Sequence, residues 1–320
     1  SGSMKNCTNS APITADGTLK SLAIGGAIGY AYNVEDENVH NTGAVLVKET
    51  TRINGIFAGG VGAILYNGSG GTGYSKGCTN DAPVTILAST MENYSTGKYF
   101  YRIGGITGFG RNALSDCVNK ENGDVYTAGN IINTHTDSSE LALQIAGIVG
   151  YKTVGGITNC DNYGDVTVNT HFTNHSTDED VIKVQVFSMG GVSAYSTYNP
   201  TESDNHGNIT FGGSYVGYRA FIGGVHADGI TQNIFPGPGV VNNGNIPISE
   251  GAVIDIYQLY LGGICGGTER TTEMTSATNN GNIFINGTVT GVVRLGGITG
   301  YRNNICSGSI VNNGNITFGK

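Results

Sequence analysis

The densest run of ligand-type side chains is His171, His175, Asp178, Glu179 and Asp180. Imidazoles and carboxylates this close in sequence could hold a metal ion, and an Asp-Glu-Asp run offers the oxygen ligands that calcium takes. The spacing follows no known metal loop, so a solvated acidic loop tip is the plainer reading. No cofactor is expected, with calcium the possible exception. His135 with Asp137 is a weaker pair of the same kind. There is no His-Glu-x-x-His, which excludes the zinc metallopeptidase centre that motif builds. Nothing around Ser69 supplies the strand-to-helix elbow of a Gly-x-Ser-x-Gly nucleophile. A polysaccharide lyase or hydrolase would need paired carboxylates or calcium-bound acids on one face. Acidic residues here are sparse and read as out of register, so an enzyme is not expected.

Aromatic side chains are the better candidates for chemistry, because sugars stack on rings. The chain has 17 Tyr and no Trp. Tyr30, Phe109, Tyr151, Tyr195 and Tyr301 recur at the end of a glycine-rich element. Alternation counted from Ile106 would expose Phe109, whereas a bulge at the intervening Gly would turn the ring inward into a buried stack. A second group, Tyr94, Tyr99, Tyr101 and Tyr126, falls in long excursions at residues 86–103 and 126–146, with a third excursion at 167–189. Stacked side by side, these would form one lateral patch.

Two alternating elements must position these residues. Asn-x-Gly-x-Ile/Val occurs nine times. The clear copies start at Asn41, Asn162, Asn205, Asn242, Asn279 and Asn312; those at Asn9 and Asn80 carry Ala for Gly, and Asn119–Val125 is stretched. Between them lie eight copies of Gly-Gly-Ile/Val-x-Gly-aromatic, starting at Gly25, Gly59, Gly104, Ala146, Gly190, Gly223, Gly262 and Gly296. The period, about 39 residues, lies in the range of repeat arrays. The interval from Gly-Gly to the next Asn hardly varies, while that from Asn to Gly-Gly swings widely. Insertions thus fall in one loop of each unit, and in solenoids such loops often mark the binding face.

The composition favours strands over helices. Gly makes up 53 of 320 residues, and each costs a helix about 1 kcal/mol relative to Ala. Runs such as Tyr99–Ile103, Val181–Phe187 and Ile254–Leu261 are β-branched and aromatic, and each leads into a Gly-Gly pair. The fold class that follows is all-β: a parallel β-solenoid of about eight coils, roughly 40 Å long at ~4.8 Å per strand. Corners would use Gly for positive φ and Asn for the left-handed region, and equivalent Asn side chains could bond in a ladder from coil to coil. Residues 1–3 resemble an expression scar. Residues 4–320 read as one repeat domain without visible capping units, as expected of a segment from a longer chain.

Four of the six Cys, at 7, 78, 117 and 160, stand two residues before the Asn of their units, where other units hold Val39, Val240, Ala277 or Ile310. A slot that accepts all of these is an inward-facing apolar slot, so core thiols are expected rather than disulfides. A net charge of −8 disfavours a nucleic-acid partner, and no apolar run approaches the ~18 residues of a transmembrane segment.

Gly296–Tyr301, followed by Cys306, Ser309-Ile310 and then Asn313–Thr317, resembles the pattern of GLUG-motif repeat proteins. The likeness extends over nearly the whole chain. It is weaker around Gly59, Gly223 and Gly262, and Ile/Val stand where Leu is typical. The resemblance implies a β-solenoid module of a secreted or surface-anchored bacterial protein. Its expected role is adhesion to host or microbial glycans or proteins; passive spacing is the alternative. It implies no catalytic residue within the repeat.

Overall fold

The computed structural model describes residues 2–68, 73–89, 99–133, 141–174, 186–229, 236–268, 274–302 and 306–319. These residues contain no helix, and so none that could cross a membrane. The chain winds as a parallel β-solenoid. One coil runs through Val118–Asn119, Val125–Asn133, Leu141–Ala146, Val149–Lys152 and Ile157–Thr158. Each segment pairs in parallel with its counterpart one coil on: Asp161–Asn162, Val166–Asn174, Val186–Gly190, Ser193–Ser196 and Pro200–Thr201. Where the excursions are absent, the second and third segments merge into single strands, Ser214–Gly223 and Val253–Gly262. Parallel coils bury both ends of every peptide group in the ladder, which is why β-branched residues fill the inward positions.

The Asn of each unit does not turn a corner. Asn41, Asn80, Asn119, Asn162, Asn205, Asn242 and Asn279 are buried, and none of these has a positive φ. Each side-chain amide points inward. Nδ2 of Asn9, Asn41, Asn80, Asn119, Asn162, Asn205, Asn242 and Asn279 donates to Oδ1 of the next Asn at 2.8–2.9 Å. The second Nδ2 hydrogen satisfies a carbonyl of the same unit, such as Gly164 O at 2.8 Å. The expected ladder is therefore present, in the core.

The second Gly of each Gly-Gly pair packs against this ladder. A Cβ at Gly147 would lie 2.1 Å from Asn162 Cγ, and one at Gly60 would lie 2.2 Å from Asn80 Cγ. Amide and glycine together divide the coil into two apolar lobes. One lobe holds Val45, Ile103, Ile145, Val166, Met189 and Ile254. The other holds Val39, Cys78, Cys117, Cys160, Ile148 and Val192.

The assignment of positive φ to the motif glycines is corrected. Gly164, Gly207, Gly244 and Gly281 are absent from the left-handed set. They are glycines because a Cβ would strike the backbone of the preceding coil, as at Gly244, where it would meet Gly207 O at 1.8 Å. Seven of the positive-φ positions form another column: Asn6, Asn38, Gly77, Asp116, Asn159, Glu202 and Gly239, with φ from 49° to 76°. Each stands one residue before the Cys slot. That slot is apolar and buried as expected at Val39, Cys78, Cys117, Cys160 and Val240, and Ser203 occupies it in one coil. The thiols of Cys7, Cys117 and Cys160 each donate to the carbonyl two residues back at 3.3 Å, as the Ser203 hydroxyl does at 2.8 Å. Cys7, Cys78, Cys117, Cys160 and Cys265 are free.

Candidate binding groove on the lateral face

Of the recurrent aromatics, Phe109, Tyr151 and Tyr195 form a column that Tyr32 and Tyr66 continue, while Tyr30, whose register partner is Ile64, does not join it. Tyr32–Tyr66, Tyr66–Phe109, Phe109–Tyr151 and Tyr151–Tyr195 stack with centroids 4.7–6.3 Å apart and planes within 10–21°. Their faces point along the solenoid and cover one another. Arg102 adds a guanidinium 3.6 Å from the Tyr151 centroid and 5.3 Å from that of Phe109, with Nε donating to Gln144 Oε1 at 3.0 Å. Arg111 sits over Tyr66. Stacked pairs of this kind contribute about 0.5–1.5 kcal/mol each beyond burial, so the column ties coil to coil. Burial is graded along it. Tyr32 is exposed, like Tyr30 outside it; Phe109 and Tyr151 are half-buried, and Tyr195 is buried. A second stack pairs Phe221 with Tyr260, and Tyr301 lies against Tyr260 tilted by 57°, with Arg294 over its ring. In both stacks the ring faces are largely occupied, and edges and hydroxyls are what remain for a ligand.

The lateral patch loses one of its members. Tyr101 is 2% exposed and its hydroxyl donates to Ile53 O at 3.0 Å. It alternates inward with Ile103, so it belongs to the core. Tyr126 is half-buried on the outer face, its hydroxyl accepting from Asn169 Nδ2 at 3.2 Å. Tyr99 pairs through its backbone with Leu141, while its side chain, like all of Tyr94, lies outside the described residues. Of the excursions, Val125–Asn133 stacks on Val166–Asn174 and Tyr99–Gly104 on Leu141–Ala146, while residues 90–98 lie outside the described residues. Of the proposed metal ligands, His171 is exposed and its Nδ1 meets Ser214 Oγ at 3.1 Å. His175, Asp178, Glu179 and Asp180 lie outside the described residues. Among the described residues no group of three metal-capable side chains converges.

An unanticipated site lies on the outer side of the Asn elements. The residue after each ladder Asn is exposed or half-buried, giving the column Ser10, Thr42, Asp81, Lys120, Tyr163, His206, Asn243, Asn280 and Asn313. Tyr163 stacks on His206 with centroids 4.3 Å apart and planes 3° from parallel. The stretched element Asn119–Val125 lies one coil before Tyr163. Its extra residues bulge outward, and Gly123 N closes the bulge on Lys120 O at 2.8 Å. The result is a groove of about 390 Å³ lined by Asp81, Val118, Lys120, Glu121, Asn122 and Tyr163. His206 covers one face of Tyr163, and the other lining residues come from the two preceding coils. Asn122 Nδ2 donates to Asp81 Oδ1 at 3.0 Å, and Lys120 Nζ approaches Asp81 Oδ2 at 3.5 Å. That exposed ion pair adds little stability, and its groups remain available to a ligand. Partial burial, together with the carboxylates of Asp161 and Asp204, raises the Tyr163 phenol above its usual range, which keeps it a proton donor.

The neighbouring acids correct the reading that acidic residues are out of register. Asp124 and Asp165 share one column; Asp161 and Asp204 share another. Each is engaged by the next coil: Asp165 N donates to Asp124 Oδ1 at 2.8 Å, Asn208 N to Asp165 Oδ1 at 2.7 Å, and Val241 N to Asp204 Oδ1 at 2.9 Å. These carboxylates cap backbone donors. The irregular Asn119–Val125 spacing was the sequence signal for the groove, and Tyr163 follows it by one coil.

Compared with family models, curated proteins and solved structures, the chain has no match in any of the three.

Proposed function

We propose that the chain is a non-catalytic β-solenoid module of a secreted or surface-anchored bacterial protein, binding host or microbial glycans through the groove at Tyr163. The observation that carries this reading is the ring itself. Tyr163 is backed on one face by His206 and lines a groove that offers a carboxylate, an amide and an amine. A sugar has an apolar face that packs on an aromatic ring and hydroxyls that bond planar polar groups, so this combination suits it. The resemblance to GLUG-motif repeats supports the surface setting. A passive spacer is favoured by a different observation: most aromatic faces and in-register carboxylates are spent on internal contacts.

Glycan-array binding by the folded chain, followed by titration of any hit against Tyr163→Ala, separates the two readings. Binding that Tyr163→Ala abolishes and Tyr257→Ala preserves is the expected result; Tyr257 is exposed elsewhere, on Val253–Gly262. Absence of any glycan ligand, or equal loss in both variants, would leave the spacer. Release of shortened glycans on incubation would make the module an enzyme.

A further inference from the structure

Inside the second lobe, four polar side chains meet across successive coils. Asp36, Ser75, Asn112 and Lys152 are 1%, 0%, 3% and 0% exposed. Ser75 Oγ donates to Asp36 Oδ2 at 3.2 Å, and Asn112 Nδ2 donates to Ser75 Oγ at 2.7 Å. Lys152 Nζ bonds the main-chain oxygen of Asn112 and, at 2.6 Å, that of Val154. Asn112 Oδ1 and Asp36 Oδ1 are buried without a hydrogen-bond partner.

Charge is expensive here. Burial brings the Lys152 amine down to about 7 and the Asp36 carboxyl up to about 6. Near neutral pH a substantial share of the amine therefore carries a free lone pair, the form in which lysine is a nucleophile. Below about pH 6 the Asp36 carboxyl keeps its proton, the form in which it is an acid. The side-chain amide between them is the electrophile, and the amine already bonds the main chain of that same residue.

We propose that Lys152 and Asn112 are joined by a side-chain amide cross-link formed within the folded chain, with Ser75 relaying the proton of Asp36 to the departing nitrogen. The Nζ lone pair forms the new bond to Asn112 Cγ, and the bond from Cγ to Nδ2 breaks. Ser75 passes the Asp36 proton to Nδ2, which leaves as ammonia. The Asp36 carboxylate then recovers the proton that Nζ sheds. One amine and one primary amide become one secondary amide and ammonia, with no oxidant or reductant. Holding the groups together supplies the effective concentration such a step needs. The product would tie two adjacent coils covalently, within the stretch where the excursions stack.

The test is a peptide map of the full folded chain after incubation between about pH 6 and 7, alongside its intact mass. The expected species is lighter by one ammonia and yields a branched peptide containing both Lys152 and Asn112. The branched peptide is the deciding readout, because Asn-Gly steps elsewhere also lose ammonia. The Lys152→Met chain should lack it. The Asp36→Asn chain, folded by circular dichroism, should form it more slowly, with an altered dependence of rate on pH. Recovery of Lys152 and Asn112 in separate unmodified peptides from the folded wild-type chain would overturn the proposal, and Lys152 would then be a corner cap.

Discussion

Replacing Asn162 with Ala tests whether the buried amide ladder holds the solenoid together. The substitution removes three hydrogen bonds, each 2.8 Å long. Asn162 Nδ2 no longer reaches Gly164 O or Asn205 Oδ1, and Asn119 Nδ2 loses Asn162 Oδ1. Asn119 and Asn205 are fully buried, so water cannot replace what is lost. An orphaned buried polar group costs about 1–3 kcal/mol. Asn119 keeps its bond to Gly123 O at 2.7 Å, which softens one of the three losses. The expected destabilisation is about 3–5 kcal/mol, at the high end for a single substitution. Asn280 is the control. It sits in the outer column and makes the same kind of bonds, donating to Asn243 Oδ1 and accepting from Asn313 Nδ2, both at 2.8 Å, but in solvent. Asn280→Ala should cost no more than about 0.5 kcal/mol. Urea unfolding followed by circular dichroism measures both, with unchanged slopes required because repeat arrays can unfold in parts. If the two variants lie within about 1 kcal/mol of each other, burial does not give the ladder its weight and the reasoning fails.

Three further outcomes follow from the same geometry. Glu202 holds φ at +49° in the left-handed column, so Glu202→Gly should stabilise the chain by about 1 kcal/mol, seen as a higher melting temperature. His226 is fully buried with Nδ1 2.7 Å from Ser193 Oγ, and burial lowers its ring to about 4. The unfolded chain therefore binds this proton first as pH falls. Stability should drop between about pH 6.5 and 4 by roughly 3 kcal/mol, and a His226→Asn chain should lose that part of the dependence in melts across pH. Contacts with the Cys160 and Cys78 thiols and complete burial push the Cys117 thiol well above its usual range. A maleimide should label half-buried Cys7 first and reach Cys78, Cys117 and Cys160 only after urea is added; rapid native labelling of Cys117 would contradict the fold.

The parallel solenoid, the Asn ladder and the Cys slot could be read from the sequence because all three are consequences of register. Once Asn9 to Asn312 are aligned, parallel winding sets identical side chains one strand spacing apart, and Cys, Val and Ala sharing one column identifies an interior position. The glycines could not be read this way. Two physical reasons make a position glycine, positive φ and close approach, and Gly164 and Gly77 look alike in a string of letters. Only the structure shows that Gly164 abuts the preceding backbone while Gly77 turns left-handed. Tyr101 was within reach: strand alternation counted back from buried Ile103 puts it in the core. Tyr163 was not. Its importance comes from a bulge in the neighbouring coil and from His206 behind it, and both are contacts between residues about one repeat apart.

A buried amide in every coil also bears on how such a chain can acquire a binding surface. A strand that slipped by one residue would turn its Asn outward and leave the amides above and below without partners, so the ladder fixes register more strictly than apolar contacts could. Packing of that amide against the second Gly of the Gly-Gly pair fixes the opposite wall as well. With both walls set from inside, the residue after each ladder Asn carries no structural demand beyond facing solvent. That column holds Ser10, Thr42, Asp81, Lys120, Tyr163, His206 and then three Asn, varying freely on one side of the chain and uniform on the other. The varied half is the half that contains the stretched element and the groove. A column that interior constraint leaves free can change chemistry coil by coil without cost to the fold, and the groove at Tyr163 stands where it has changed most.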